Sequence, residues 1–159
     1  MYCGGNLGVE VLHPAFPIEH SSGAKLTAGG VWTNASDRNL KENITPVDLS
    51  DVLARVVSMP VSMWNYKADA EAKHIGPMAQ DFKQAFDLGD SDKVIGTVDA
   101  DGVALAAIQG LNTRLEAKDA EIDALKMQMN AQNAANEARI KALEEAIAKV
   151  IATQKEGAR

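Results

Sequence analysis

Apolar and polar positions fall into three patterns along the chain. Over residues 1–35, short alternating pieces such as Val9-Glu10-Val11-Leu12 and Lys25-Leu26-Thr27-Ala28 sit between turn-rich stretches, among them Cys3-Gly4-Gly5-Asn6 and Gly29-Gly30. That pattern predicts short strands and turns with few groups to bury. Such a segment offers too little apolar surface to offset the entropy of ordering it, so it is expected to belong to something larger or to trimerise.

Residues 36–101 read as a compact α+β head. Asp48 or Ser50 can cap a helix that carries Val52, Leu53, Val56 and Val57 at helical spacing, and Pro60 ends it. Val61 to Tyr66 alternates as a strand, with Trp64 and Tyr66 on one face. Pro77 suits the first turn of a second helix whose stripe is Met78, Phe82, Ala85 and Phe86, closed by Leu88-Gly89-Asp90. Val94 to Val98 has the pattern of another short strand.

From residue 102 to 159 the pattern is one long helix, capped by Asp99 or Asp101, in which only Gly110 interrupts before Gly157. Ile108, Leu111, Leu115, Ile122, Leu125 and Met129 recur with the 3–4 split of a heptad, and Lys118 occupies one core slot. The repeat fails over Asn130 to Asn136 and resumes at Ile140, Leu143, Ile147 and Val150. Its new phase is shifted by four residues, which is a stutter. Two geometries fit: a continuous helix of ~80 Å with a weak polar middle, or a hairpin turning at Gln132-Asn133. Richness in Ala, Glu and Lys favours continuity. So narrow an apolar stripe needs partners, and other copies of the chain are the simplest supply. The fold class expected is α+β: a small mixed head of short strands and helices, then a long helix forming a coiled coil.

Composition narrows the function classes. The 159 residues are 46% apolar and 24% charged, with a formal charge of −6. Net acidity argues against a nucleic-acid partner, since a phosphate grip needs clustered cations. Aromatics at 4% leave no basis for a large ring-packed β core, and the single Cys3 excludes an internal disulfide framework. The longest apolar run, Val103 to Ile108, is far short of the ~20 residues that span a bilayer, so no membrane partner is expected. No secretory signal pattern opens the chain, and the glycosylation-type triplets Asn34-Ala35-Ser36 and Asn43-Ile44-Thr45 carry little weight without one. There is no Gly-rich phosphate loop, and His13, His20 and His74 lie scattered, so neither a cofactor nor a metal is expected.

One stretch stands out where composition switches from turn-rich to globular. Ser36-Asp37-Arg38-Asn39-Leu40-Lys41-Glu42-Asn43-Ile44 places a hydroxyl, a carboxylate and an amine within six residues. This run resembles the opening of the C-terminal intramolecular chaperone of endosialidases and phage tail spikes and fibres. Trp64-Asn65-Tyr66, the run from His74 to Phe82 and the run from Thr97 to Leu111 resemble the same domain in order and spacing, so that the likeness covers about residues 32 to 126.

The resemblance implies a homotrimer that guides folding of a covalently linked N-terminal fibre or stalk passenger, of which residues 1–35 would be the end. It implies a single-turnover self-cleaving serine peptidase with no external substrate, cutting the Ser36–Asp37 bond. Ser36 and Lys41 map to a serine–lysine dyad, with Asp37 and His74 as further catalytic candidates. Synthesis in a bacterial host's cytoplasm, a passenger in the virion tail fibre and a released chaperone complete the implied picture.

Elementary chemistry supports part of this and strains against part. A serine hydroxyl is a poor nucleophile until a base takes its proton, and lysine does so once burial lowers its pKa from ~10.4. Five residues apart, Ser36 and Lys41 can meet across a turn but not along a strand. Attack by Ser36 on its own carbonyl closes a strained four-membered ring, whereas attack on the preceding carbonyl closes a five-membered ring and severs Ala35–Ser36. Cutting after Ser36 therefore needs a hydroxyl from a neighbouring chain, an activated water or help from Asp37. The competing readings are a trimerisation tip of a fibre that never cuts, and a peptide hydrolase acting in trans. Bland roles remain open for single residues: His74 as a structural histidine, Gln80 and Asp81 as polar face, Trp64 and Phe82 as core, Asn136 as a solvated interruption.

Overall fold

The structure, a computed structural model, describes residues 5–156; Cys3 and Gly157 lie outside them. The chain divides into two compact units, Met1–Ala106 and Ala107–Arg159.

The first unit opens with four short strands, β1 (Leu7–Val9), β2 (Ile18–His20), β3 (Lys25–Leu26) and β4 (Trp32–Thr33), in one sheet of that order. β1 runs parallel to β2, while β2–β3 and β3–β4 are antiparallel. Each strand has two or three residues and none is fully buried, as expected of a segment with so little apolar surface. Side chains stitch it instead: Ser21 Oγ donates to Glu10, Asn6 Nδ2 to the Pro14 carbonyl, and the Lys25 ammonium lies 3.8 Å from the centre of the Phe16 ring.

A 3₁₀ turn, Arg38–Leu40, leads to helix α1 (Leu49–Ser58). Asp48 caps α1, its carboxylate accepting from the backbone of Ser50 and Asp51, and Met59 ends it before Pro60. Leu49, Val52, Leu53 and Val56 are half-buried, but Val57 is exposed, because it lies one helical step beyond the inward face. Strand β5 (Ser62–Tyr66) follows, and a two-residue turn returns the chain as β6 (Asp69–Gly76). β6 was not expected: Ala-Glu-Ala-Lys is helix-forming, and Lys67-Ala68 carries none of the Asn-Gly or Asp-Gly signal of a tight hairpin. It is held by its partner strand, with Met63 opposite Ile75 and Trp64 opposite His74.

Helix α2 (Ala79–Phe86) starts two residues later than expected, leaving Pro77 outside its first turn, and ends at Asp87 in the left-handed conformation. Phe82 is buried and touches Phe86, while Met78 is exposed. Arg55 joins the two helices, pairing with Asp51 and donating to the Ala85 carbonyl at 2.7 Å.

Val94 to Val98 is not a strand. Helix α3 begins at Thr97 and runs unbroken to Glu156, so the chain continues through Gln132-Asn133 without turning back. Its first amides are satisfied by the Gly96 carbonyl, which accepts from Asp99 and Ala100. The mixed α+β head and the long helix are the fold class read from the sequence. Near the start of α3 two lines of residues diverge. Val103, Ala107 and Gly110 are buried, whereas Ile108, Leu111 and Leu115 are exposed. Further along, Ile122, Leu125, Met129, Ile140, Leu143, Ile147 and Val150 are all exposed as well.

Candidate functional site

The site is built on a loop rather than on a regular element. Asp37 lies in the extended conformation, and its Oδ1 accepts from both the backbone and side-chain amides of Asn39. That pair of hydrogen bonds fixes the start of the 3₁₀ turn, which the backbone closes from Lys41 N–H to the Arg38 carbonyl. The turn reverses the chain between Ser36 and Lys41 and brings the Lys41 ammonium to 2.8 Å from Ser36 Oγ, to which it donates. Ser36, Asp37 and Lys41 are all solvent-exposed.

Of the four candidate catalytic residues, then, Ser36 and Lys41 are in contact, and Asp37 shapes the turn between them. His74 is elsewhere. On β6 it stacks on Trp64, with ring centres 4.7 Å apart, and meets Tyr66 edge-on at 5.5 Å; it forms no hydrogen bond with Ser36, Asp37 or Lys41. Trp64 and Tyr66 pack edge to face at 5.0 Å, so the strand face expected to carry these two rings holds, with His74, a three-ring cluster. The Trp64 indole N–H is buried without a partner.

Two contacts with distant parts of the chain hold the residues before Ser36. Asn34 Nδ2 donates to Thr97 Oγ1 at 3.2 Å, joining positions 63 residues apart. Ala35 rests against Gly23, where an added Cβ would lie 2.9 Å from the alanine methyl. No periodicity or motif signals either contact, because both join a loop to a distant element.

Residues 36–88 match a peptidase family described as the chaperone of endosialidase. That stretch, about a third of the chain, is similar to the endosialidase-chaperone domain. The matched stretch opens at Ser36, includes Lys41 and His74, and ends beyond α2. No curated protein matches the chain significantly. Among the described residues no helix is long and apolar enough to cross a membrane, and no cluster of His, Cys, Asp or Glu could hold a metal ion.

Proposed function

We propose that this endosialidase-chaperone domain assembles as a homotrimer, assists folding of an N-terminal fibre or spike passenger of a phage, and then cuts itself free next to Ser36. The observation that carries the reading is the 2.8 Å contact between Lys41 Nζ and Ser36 Oγ at the start of a stretch matching a peptidase family of chaperones. In the cut, Lys41 takes the hydroxyl proton as the oxygen attacks a carbonyl. The amine of the following residue leaves with a proton, and water then hydrolyses the ester to a carboxylate. At Ser36–Asp37 the attacking hydroxyl comes from a neighbouring chain, which ties cutting to assembly. Removal of the folding aid leaves the passenger held by its unfolding barrier. Residues 1–35, 36–101 and 102–159 then serve as passenger end, cutting head and coiled-coil stem.

The exposed seam of α3 supports self-association. Its residues do not by themselves favour three strands. Ile108, Ile122, Ile140 and Ile147 alternate with Leu111, Leu125 and Leu143, and Ile at a with Leu at d suits two-stranded coils. Threefold order therefore has to come from the head or the passenger.

A specific observation favours the second reading, a trimerisation tip that never cuts. Lys41 and Ser36 are both exposed, and Lys41 Nζ donates to Ser36 Oγ, the reverse of what a base taking the hydroxyl proton does. Replacing Lys41 by Met separates the two. If the domain cuts itself, wild type accumulates a shorter mass and Lys41→Met stays whole, with the same number of subunits. Equal processing of both proteins removes Lys41 from the chemistry, and no processing in either leaves the tip.

A further inference from the structure

Three consecutive residues at the junction are each held by a different element. The Asn34 amide donates to the Thr97 hydroxyl at 3.2 Å, on the first residue of α3. The Ala35 methyl lies against Gly23, in the turn between β2 and β3, whose φ of +88° and missing side chain allow the approach. The Ser36 hydroxyl receives the Lys41 ammonium at 2.8 Å. None of Asn34, Gly23 or Thr97 touches the Ser36–Lys41 pair through a hydrogen bond, so they do not perform the chemistry; they restrict the acyl side of the bond to be cut.

We propose that Thr97 is a positioning residue for self-cleavage, acting through Asn34 to hold the Asn34-Ala35-Ser36 segment in a reactive geometry, with Gly23 as the second wall. The inference rests on the cleavage reading above and assigns it a recognition element on the N-terminal side. Whichever bond is cut, Ala35–Ser36 or Ser36–Asp37, one water is consumed. A carboxylate forms on Ala35 or Ser36, and an amine on the residue that follows. In both cases Asn34 belongs to the departing fragment and Thr97 to the chaperone, so the hydrogen bond spans the cut. Fixing a reacting segment in a near-attack arrangement raises the rate without adding a catalytic group.

The test is the first-order rate of processing, followed by intact mass, in the full chain and in Thr97→Val, Thr97→Ser, Asn34→Ala and the Asn34→Ala/Thr97→Val double variant. Loss of one net hydrogen bond predicts a slowing of about 2- to 10-fold for Thr97→Val. Thr97→Ser, which keeps the hydroxyl, processes at the wild-type rate. The double variant is no slower than the slower single one, since both remove the same contact. Circular dichroism and oligomeric mass stay those of wild type; if Thr97→Val alters them, Asn34→Ala, on an exposed loop, carries the comparison. A wild-type rate in both single variants, a Thr97→Ser as slow as Thr97→Val, or additive slowing in the double variant overturns the assignment of Thr97 while leaving self-cleavage in place. A wild-type chain that stays whole overturns both.

Discussion

Replacing Ile122 by Ala should weaken self-association through the seam of α3 without unfolding the helix. Along α3 every apolar seam residue from Ile108 to Val150 is exposed. Ile122 is 47% exposed, so a partner can bury about half of the side chain, contributing about 1 kcal/mol of the 1.5–3 kcal/mol for full burial. Three copies make that about 3 kcal/mol per trimer, or a factor of about 100 in the association constant. Alanine keeps helix propensity, which separates loss of packing from loss of helix. Sedimentation equilibrium on the uncut Ser36→Ala chain reads the outcome: a species at three times 16.9 kDa, with Ile122→Ala in the same background dissociating at concentrations about 10-fold higher, since a trimer's midpoint follows the square root of its association constant. An uncut chain that stays monomeric at tens of micromolar, or a variant with unchanged association, would refute the seam as an interface.

Phe82, at 4% exposure, is the most buried large side chain among the described residues of the head, and it packs on Phe86. Phe82→Ala should cost about 3–5 kcal/mol and abolish a cooperative thermal transition in the head, with Phe82→Leu intermediate. Asp48 predicts a pH dependence. The Ser50 hydroxyl, then the amides of Asp51 and Ser50, hold its carboxyl below the usual value of 3.8. Its folded value being depressed, the cap's contribution is complete above the unfolded value and is lost as pH falls through the folded one. α1 should therefore loosen in acid below that range, and Asp48→Ala should lower the melting temperature at pH 7 while flattening this acid limb. An acid limb unchanged in Asp48→Ala would assign it to other carboxylates.

What the sequence revealed and what it hid follow from the range of the interactions. α1 was legible because its cap, its stripe and its terminating Pro60 are local. The long helix was legible because Ala, Glu and Lys carry it through the weak zone from Asn130 to Asn136. β6 was hidden, since Asp69 to Lys73 has helical propensity and becomes a strand only through pairing with β5. Val94 to Val98 misled for the opposite reason: a β-branched run gave way to a helix that starts on the Gly96 carbonyl. At the site, Ser36 and Lys41 were visible through motif and spacing, and the turn joining them through Asp37. Asn34 with Thr97 was not visible, because a contact across 63 residues leaves no local pattern. The buried line of Val103, Ala107 and Gly110 was also missed. Small residues leave no strong apolar signal, and Gly110 read as an interruption is in fact a buried position.

The most direct test of the central claim is the intact mass of the purified protein under denaturing conditions, wild type beside Ser36→Ala. Self-cleavage at the Ser36–Asp37 bond predicts a wild-type fragment beginning at Asp37 that is absent from the variant. A fragment beginning at Ser36 instead would keep the peptidase and move the cut to the five-membered-ring route. A single full-length mass from both proteins would contradict self-cleavage and leave the reading of a trimerisation tip that stays attached.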